Sequence, residues 1–426
     1  MRSSSRIPVS FGRAGLWEWA APEGLLTVRH RAPPPLSDVA EATRLAIRNP
    51  AEGPPLEHSI VPGDRVAIAL DRGTPAAEQV MAGLWSTLAA RGVQAADVTI
   101  VQPASLRPTP LADPRTALPA DARAAMHWII HDPTATNACR YLANSAQGER
   151  LYLNTHLTDS DIIIPVGPVM FDDLLGYRGT SSVLYPGLAS LDSLRKAVGQ
   201  GHDELGPDSS FPLRQVAEET AWLLGIQFAV QVVPASQGGA GEILAGQCET
   251  VFRRAKEFLC SHWRVQIKNR CQTVILTLDA AEQGQGWNQL AAALTSARRI
   301  VTQGGRIVVL SDLGSSPAGG NGDELSTGLR ILQSASSPRE AIGLLKEIPD
   351  FESCAARPIA RALDWAEIHL HSALPSQLVE SLGMNPLLSL DEVTRLVDQS
   401  EACVLLESAQ HCDCCIADRP KSKRKK

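Results

Sequence analysis

The sequence predicts an α/β fold: two Rossmann-like domains with parallel-rich sheets and an interdomain cleft. Three observations carry that expectation. Short runs that are apolar throughout alternate with stretches of helical spacing, the pattern of parallel strands covered on both faces by helices. This alternation occurs twice, before and after residues 266–270. The chain has 426 residues, 44% of them hydrophobic and 20% charged, which is enough for two cores of ordinary size.

The first sixty residues are rich in proline (Pro33 to Pro35, Pro54, Pro55) and read as a strand-containing lead-in with loops. Val66-Ala-Ile-Ala-Leu70 lies between Pro62-Gly63 and Gly73 and has the length of a buried strand. Residues 76–91 have helical spacing, and 98–101 form the next strand. A further helix ends near Met126, followed by strands at 127–130 and 161–166. Residues 213–224 make an amphipathic helix closed by Gly225. A strand at 228–233, a hairpin-like turn at 237–241 and a long helix at 247–264 follow. Beyond the boundary, 273–277 is a strand and 286–302 a helix. Gly304-Gly305 turns the chain into a strand at 306–310, and 314–322 is a loop. Helix-strand passes at 338–372 and 376–406 finish the domain. The expected divisions are residues 1–266, residues 270–415 and a disordered basic tail, 416–426.

A net charge of −6 gives no reason to expect a nucleic acid partner. No apolar core of a secretory signal follows Met1-Arg2, and no run approaches the roughly 18 apolar residues a spanning helix needs. A cytoplasmic protein without membrane attachment is expected; self-association is left open. Six of the nine cysteines are dispersed, while Cys412, Cys414 and Cys415 cluster near the end. Adjacent cysteines do not easily face one tetrahedral ion, so a reduced segment is expected there rather than a metal site. His369-Leu-His371 alternates as on a strand, with packing or solvent preferred to metal for both rings.

One stretch is more specific. It reads Gly167-Pro-Val-Met-Phe-Asp172-Asp-Leu-Leu-Gly176-Tyr177-Arg178-Gly179-Thr180-Ser-Ser182, then Val-Leu-Tyr-Pro186-Gly187. With Asn154, the strand and turn from Val66 to Pro75, His131-Asp132 and Gly304-Gly305, it resembles the nickel-dependent, nickel-pincer lactate racemases over about residues 8–410. The family motif there is G-x-I-x-P-H-x-x-A-G-[FY]-S-G-G-x-K, followed after three residues by P-G. The resemblance implies an isomerase of 2-hydroxy acids. Its cofactor is a nickel-pincer nucleotide tethered to a lysine. One histidine completes the metal's coordination, two more serve as acid and base, and a lysine orients the substrate carboxylate.

This chain departs from that pattern at each of those positions. The two acid-base histidines fall on Leu106 and Asp172. The tether falls on Ser182, the nickel ligand on Val198 and the orienting lysine on Ala292, although Gln289 is kept. In the turn after the first strand Asp71 and Pro75 remain, while Thr74 takes the place of a cofactor-binding arginine. Arg72 lies two residues away. Leucine and valine neither ligate nickel nor move protons, and serine cannot form the amide of the tether. No catalytic residue, covalent cofactor or metal is therefore expected, His202 being the one weak metal candidate.

What remains is a candidate cleft for a small anionic metabolite or nucleotide, lined by Asp71, Arg72, Thr74, Arg107, Gly176, Tyr177, Arg178, Gly179 and Ser182. The competing readings are ordinary ones. The arginines pair with Asp71 or Asp172, and Asp172-Asp173 cap a helix or face water. The enzymatic alternative is a hydroxy-acid racemase or epimerase with a rearranged active site.

Overall fold

The computed structural model describes residues 6–103, 111–135, 137–198, 206–280, 286–314, 325–348 and 355–417. The chain forms two compact units, one from Pro33 to His262 and the other from the residues up to Ala32 together with those from Trp263 onward. Among the described residues no helix is long and apolar enough to cross a membrane.

The Pro33–His262 unit is built on six strands in the order Ala240–Gly246, Ala229–Pro234, Ile162–Pro168, Val66–Leu70, Val98–Gln102, His127–Ile130. Neighbours are parallel except the first pair, which forms a hairpin. The burial of Val66–Leu70 at every position explains its unbroken apolar sequence. Val66, Ile68 and Leu70 face one core with Ile47 of helix Val39–Arg48 and with Val80 and Leu84 of helix Ala77–Ala90. Ala67 and Ala69 face the other with Val183, Leu184 and Leu188. Each such aliphatic side chain contributes roughly 2 kcal/mol of apolar burial. From Val66–Leu70 the chain builds outward to His127–Ile130, then crosses back to place Ile162–Pro168 on the opposite flank. The carboxyl ends of these two strands form the switch point of the sheet, where such folds open a crevice.

The main sheet of the other unit has six strands, all parallel, in the order Asn385–Pro386, Glu367–His371, Val301–Leu310, Cys271–Thr277, Cys403–Leu406, Leu26–His30. This corrects the expected division, which put the first residues with the N-terminal domain. Leu26–His30 is the edge strand beside Cys403–Leu406. The hairpin of Ile7–Phe11 and Gly15–Trp19 buries Trp17 and Trp19, stacked at 5.0 Å, against Val393 and Val397. Their indole N–H groups donate to Thr394 and Asp398. The unit resumes at Trp263, because Arg264–Ile267 pairs with Asp413–Ile416. The helix expected to reach 302 stops at Ile300 and runs straight into Val301–Leu310. Gly304, at φ +70°, supplies the left-handed kink inside that strand.

The cysteine-rich end forms the strand Asp413–Ile416. Asp413 pairs with Arg264 and Arg299, and Cys412 and Cys414 are buried, so desolvation pushes both thiols up. Among the described residues no three His, Cys, Asp or Glu side chains meet as a metal site, and no described cysteine forms a disulfide. The basic tail from 418 lies outside the described residues.

Buried imidazoles give the stability a pH dependence. His131, His369 and His411 are each held below the ordinary value of 6.5, by burial above all. The folded state keeps them neutral, whereas the unfolded chain takes up protons near pH 6.5. Their contribution is complete above that pH and falls as pH drops through it. The urea midpoint is expected to be lower at pH 5.5 than at pH 7.5, a window above the titration of ordinary carboxylates. Equal midpoints would contradict this.

Candidate functional site

The switch point of the Pro33–His262 unit gathers most of the described candidate residues. Asp71 follows the strand Val66–Leu70 directly, and its N–H donates to the Val166 carbonyl at 2.8 Å. Its side chain is 1% exposed. One carboxylate oxygen accepts from the Gly73 N–H at 2.8 Å, and the Thr74 hydroxyl donates to the Asp71 carbonyl at 2.7 Å. Thr74 is thus a turn-shaping residue buried in its own loop. Arg72 is half-buried, which pushes its pKa down, and donates to the Pro103 carbonyl at 3.4 Å.

Above this turn lies the strap that carries the glycine motif. Met170–Asp172 and Gly176–Arg178 form a short antiparallel ribbon. Asp172 closes its turn by accepting from the N–H groups of Leu174 and Leu175, at 2.8 and 3.0 Å. Gly176 has φ +70°, and a Cβ there would stand 2.5 Å from the Pro207 carbonyl oxygen, so only glycine suits the turn. Alternation along the ribbon sends Tyr177 and Arg178 to opposite sides. The Tyr177 hydroxyl donates to Asp208 at 2.7 Å, away from Asp71, with the Lys256 ammonium 4.9 Å from its ring. Arg178 donates through Nε and Nη2 to the second oxygen of Asp71, at 3.1 and 2.8 Å. Its side chain stays 38% exposed, and the Asp71 carboxylate pushes its pKa up.

Gly179 follows and lies against Phe252 and Gln231; a Cβ there would stand 2.7 Å from the Phe252 ring. Ser182 is buried, and its hydroxyl donates to the Gly179 carbonyl at 2.5 Å. His131, also buried, bridges Asn154 and the Ala189 carbonyl, both at 2.9 Å, and supports the strap rather than the pocket.

Asp71, Arg72, Thr74, Arg178, Gly179 and Ser182 thus meet at or beside one turn. Gly176 and Tyr177 shape the strap, and Asp172 is spent on its backbone. Val198 ends the helix Leu191–Val198. Leu106, Arg107 and His202 lie outside the described residues. Ala292 sits on the exposed face of helix Gly286–Ile300 in the other unit. Gln231 was missed: it is fully buried, and neither side-chain polar atom has a hydrogen-bond partner. Its signal was a lone amide in the otherwise apolar strand Ala229–Pro234.

These residues do not suit a tethered nickel nucleotide. A serine hydroxyl engaged with a backbone carbonyl offers no amine for the tether, and valine offers no donor to a metal. The acid-base position carries a carboxylate already engaged by two backbone N–H groups.

Fold and site together define a doubly wound α/β protein with a cluster of polar side chains at its switch point. Residues 20–202 match the family model of the lactate racemase N-terminal domain. Among solved structures, the lactate racemase apoprotein from Thermoanaerobacterium thermosaccharolyticum is similar with a TM-score of 0.76. Its identity is 15%, over 97% of this chain and 100% of that one. A protein from Thermotoga maritima matches with a TM-score of 0.62 and 12% identity, over 90% of this chain and 99% of that one. At these identities the likeness speaks for the fold. No curated protein matches the sequence.

Proposed function

We propose that this chain is a non-racemising member of the lactate racemase-like family that binds a small anionic metabolite or nucleotide at the Asp71–Arg178 crevice. One observation carries the reading. The Ser182 hydroxyl and one carboxylate oxygen of Asp172, where the resemblance puts tether and base, are engaged by the backbone of the strap itself. The framework of the site is kept while its reactive groups have become structural. Binding is supported by Arg178: its contact with Asp71 uses Nε and Nη2, and the side chain remains partly open to solvent. A guanidinium held in place on a glycine-framed ribbon is a suitable anion receptor. Described cysteines that form no disulfide suit a cytoplasmic protein.

The test is thermal unfolding with hydroxy acids, sugar acids, inorganic phosphate and nucleotides. A true ligand at a hundred times its dissociation constant adds about 2.7 kcal/mol, a clear upward shift in Tm. If no compound in the set moves the transition, the binding reading fails. Interconversion of the lactate enantiomers by the purified protein would instead support the rearranged racemase.

A further inference from the structure

We propose that Asp71 is a positioning residue. It grips Arg178 along one edge and so aims the other edge of the guanidinium at a ligand that presents two oxygens of one oxyanion group. The inference rests on the reading above that the crevice binds a small anion.

A guanidinium is a planar fork with two usable edges. One edge of Arg178 is taken, because Nε and Nη2 both donate to the same carboxylate oxygen of Asp71, at 3.1 and 2.8 Å. Nη1 donates to none of the described residues, and the side chain is partly exposed. The edge formed by Nη1 and the outer N–H of Nη2 therefore stays open. Its two parallel N–H groups match two oxygens of a carboxylate, phosphate or sulfate, whereas a spherical halide gains nothing from the fork.

Both ends of the pair are fixed. The Asp71 N–H donates to the Val166 carbonyl, and its other carboxylate oxygen accepts from the Gly73 N–H. Arg178 lies between Tyr177, anchored through its hydroxyl on Asp208, and Gly179, which packs on Phe252. The rotamer freedom that an arginine ordinarily gives up on binding is thus given up already on folding.

The pair persists when the ligand arrives. Asp71 is almost wholly buried, and displacing Arg178 would leave its carboxylate with the Gly73 N–H alone among the described donors. An incoming anion therefore adds at the open edge and leaves Asp71 in place. This separates two roles for Asp71 by the sign of one effect. A carboxylate that acts only through its charge opposes anions, so removing it strengthens their binding. A carboxylate that positions the fork supports oxyanions, so removing it weakens their binding despite the positive charge gained.

The full-length protein, Asp71→Asn and Arg178→Lys are titrated with acetate, inorganic phosphate and chloride at matched ionic strength. Dissociation constants are taken from the anion dependence of Tm. Wild type is expected to bind acetate and phosphate more tightly than chloride. Asp71→Asn is expected to bind both oxyanions about tenfold more weakly, and chloride no more weakly. Arg178→Lys is expected to lose the preference for oxyanions, since an ammonium that reaches Asp71 has no second edge. Oxyanion binding by Asp71→Asn that equals or exceeds that of wild type overturns the proposal and leaves anion binding intact. A preference kept by Arg178→Lys does the same, and decides the matter if the asparagine variant does not fold. Wild type that binds acetate and phosphate no more tightly than chloride also overturns it. If hydroxy acids, sugar acids and nucleotides leave wild type unmoved as well, the anion reading falls with it.

Discussion

Replacing Arg178 with methionine is expected to destabilise the Pro33–His262 unit by about 3 kcal/mol, more than replacing Asp71 with alanine. The asymmetry follows from burial. Asp71 is 1% exposed, so losing Arg178 leaves a carboxylate in the interior with only the Gly73 N–H for a partner on its outer atoms. Arg178 is 38% exposed, so losing Asp71 leaves a cation that can turn to water, at a cost of about 1–2 kcal/mol. Methionine keeps much of the aliphatic packing of arginine, so the variant isolates the charge. The double variant is expected to recover part of the loss, since the stranded carboxylate is gone. A chain of two units need not unfold in one step, so the readout is hydrogen exchange of Val66–Leu70 and Ile162–Pro168. If Asp71→Ala proves the more damaging, the carboxylate does structural work that the ion pair does not explain.

The second large effect concerns Trp19. Trp19→Ala is expected to cost 3–5 kcal/mol, roughly the loss for a fully buried tryptophan. The side chain is completely buried, stacks on Trp17 and donates to Asp398. The loss should appear in the unit that begins again at Trp263. Exchange should accelerate in Cys403–Leu406 and Cys271–Thr277 and stay unchanged in Val66–Leu70. Acceleration confined to Val66–Leu70 would mean that the N-terminal hairpin belongs to the other unit after all.

What the sequence reveals depends on how local the determining physics is. The strand Val66–Leu70 was readable to the residue, because burial on both faces leaves an unbroken apolar run. The glycine at 176 was readable as framework, since a left-handed turn against a carbonyl admits nothing larger. Leu26–His30 was not assignable, because its partner is Cys403–Leu406 at the far end of the chain and only the folded sheet brings them together. The hairpin of Cys139–Asn144 with Arg150–Asn154 was missed; its first strand is only partly buried and carries a weak apolar pattern. At the site, Asp71 and Asp172 were both readable as partners for the arginines, and only the fold selects the pair of Arg178 with Asp71 across 107 residues. Asp172 was readable as a cap or as a carboxylate facing water, and only the position of the Leu174 and Leu175 N–H groups tells them apart. Gln231 was legible only as a polar exception; its want of a partner is a property of the packed strap.

The central proposal is that this chain keeps the framework of the lactate racemase site it resembles without the residues that would hold that family's cofactor. Its most direct test is the intact mass and nickel content of the full-length protein, purified from cells that also make the nickel-pincer nucleotide. The account predicts the unmodified mass of the chain and nickel far below one equivalent, with Ser182 unchanged. A covalent adduct of nucleotide size, or stoichiometric nickel, would contradict it.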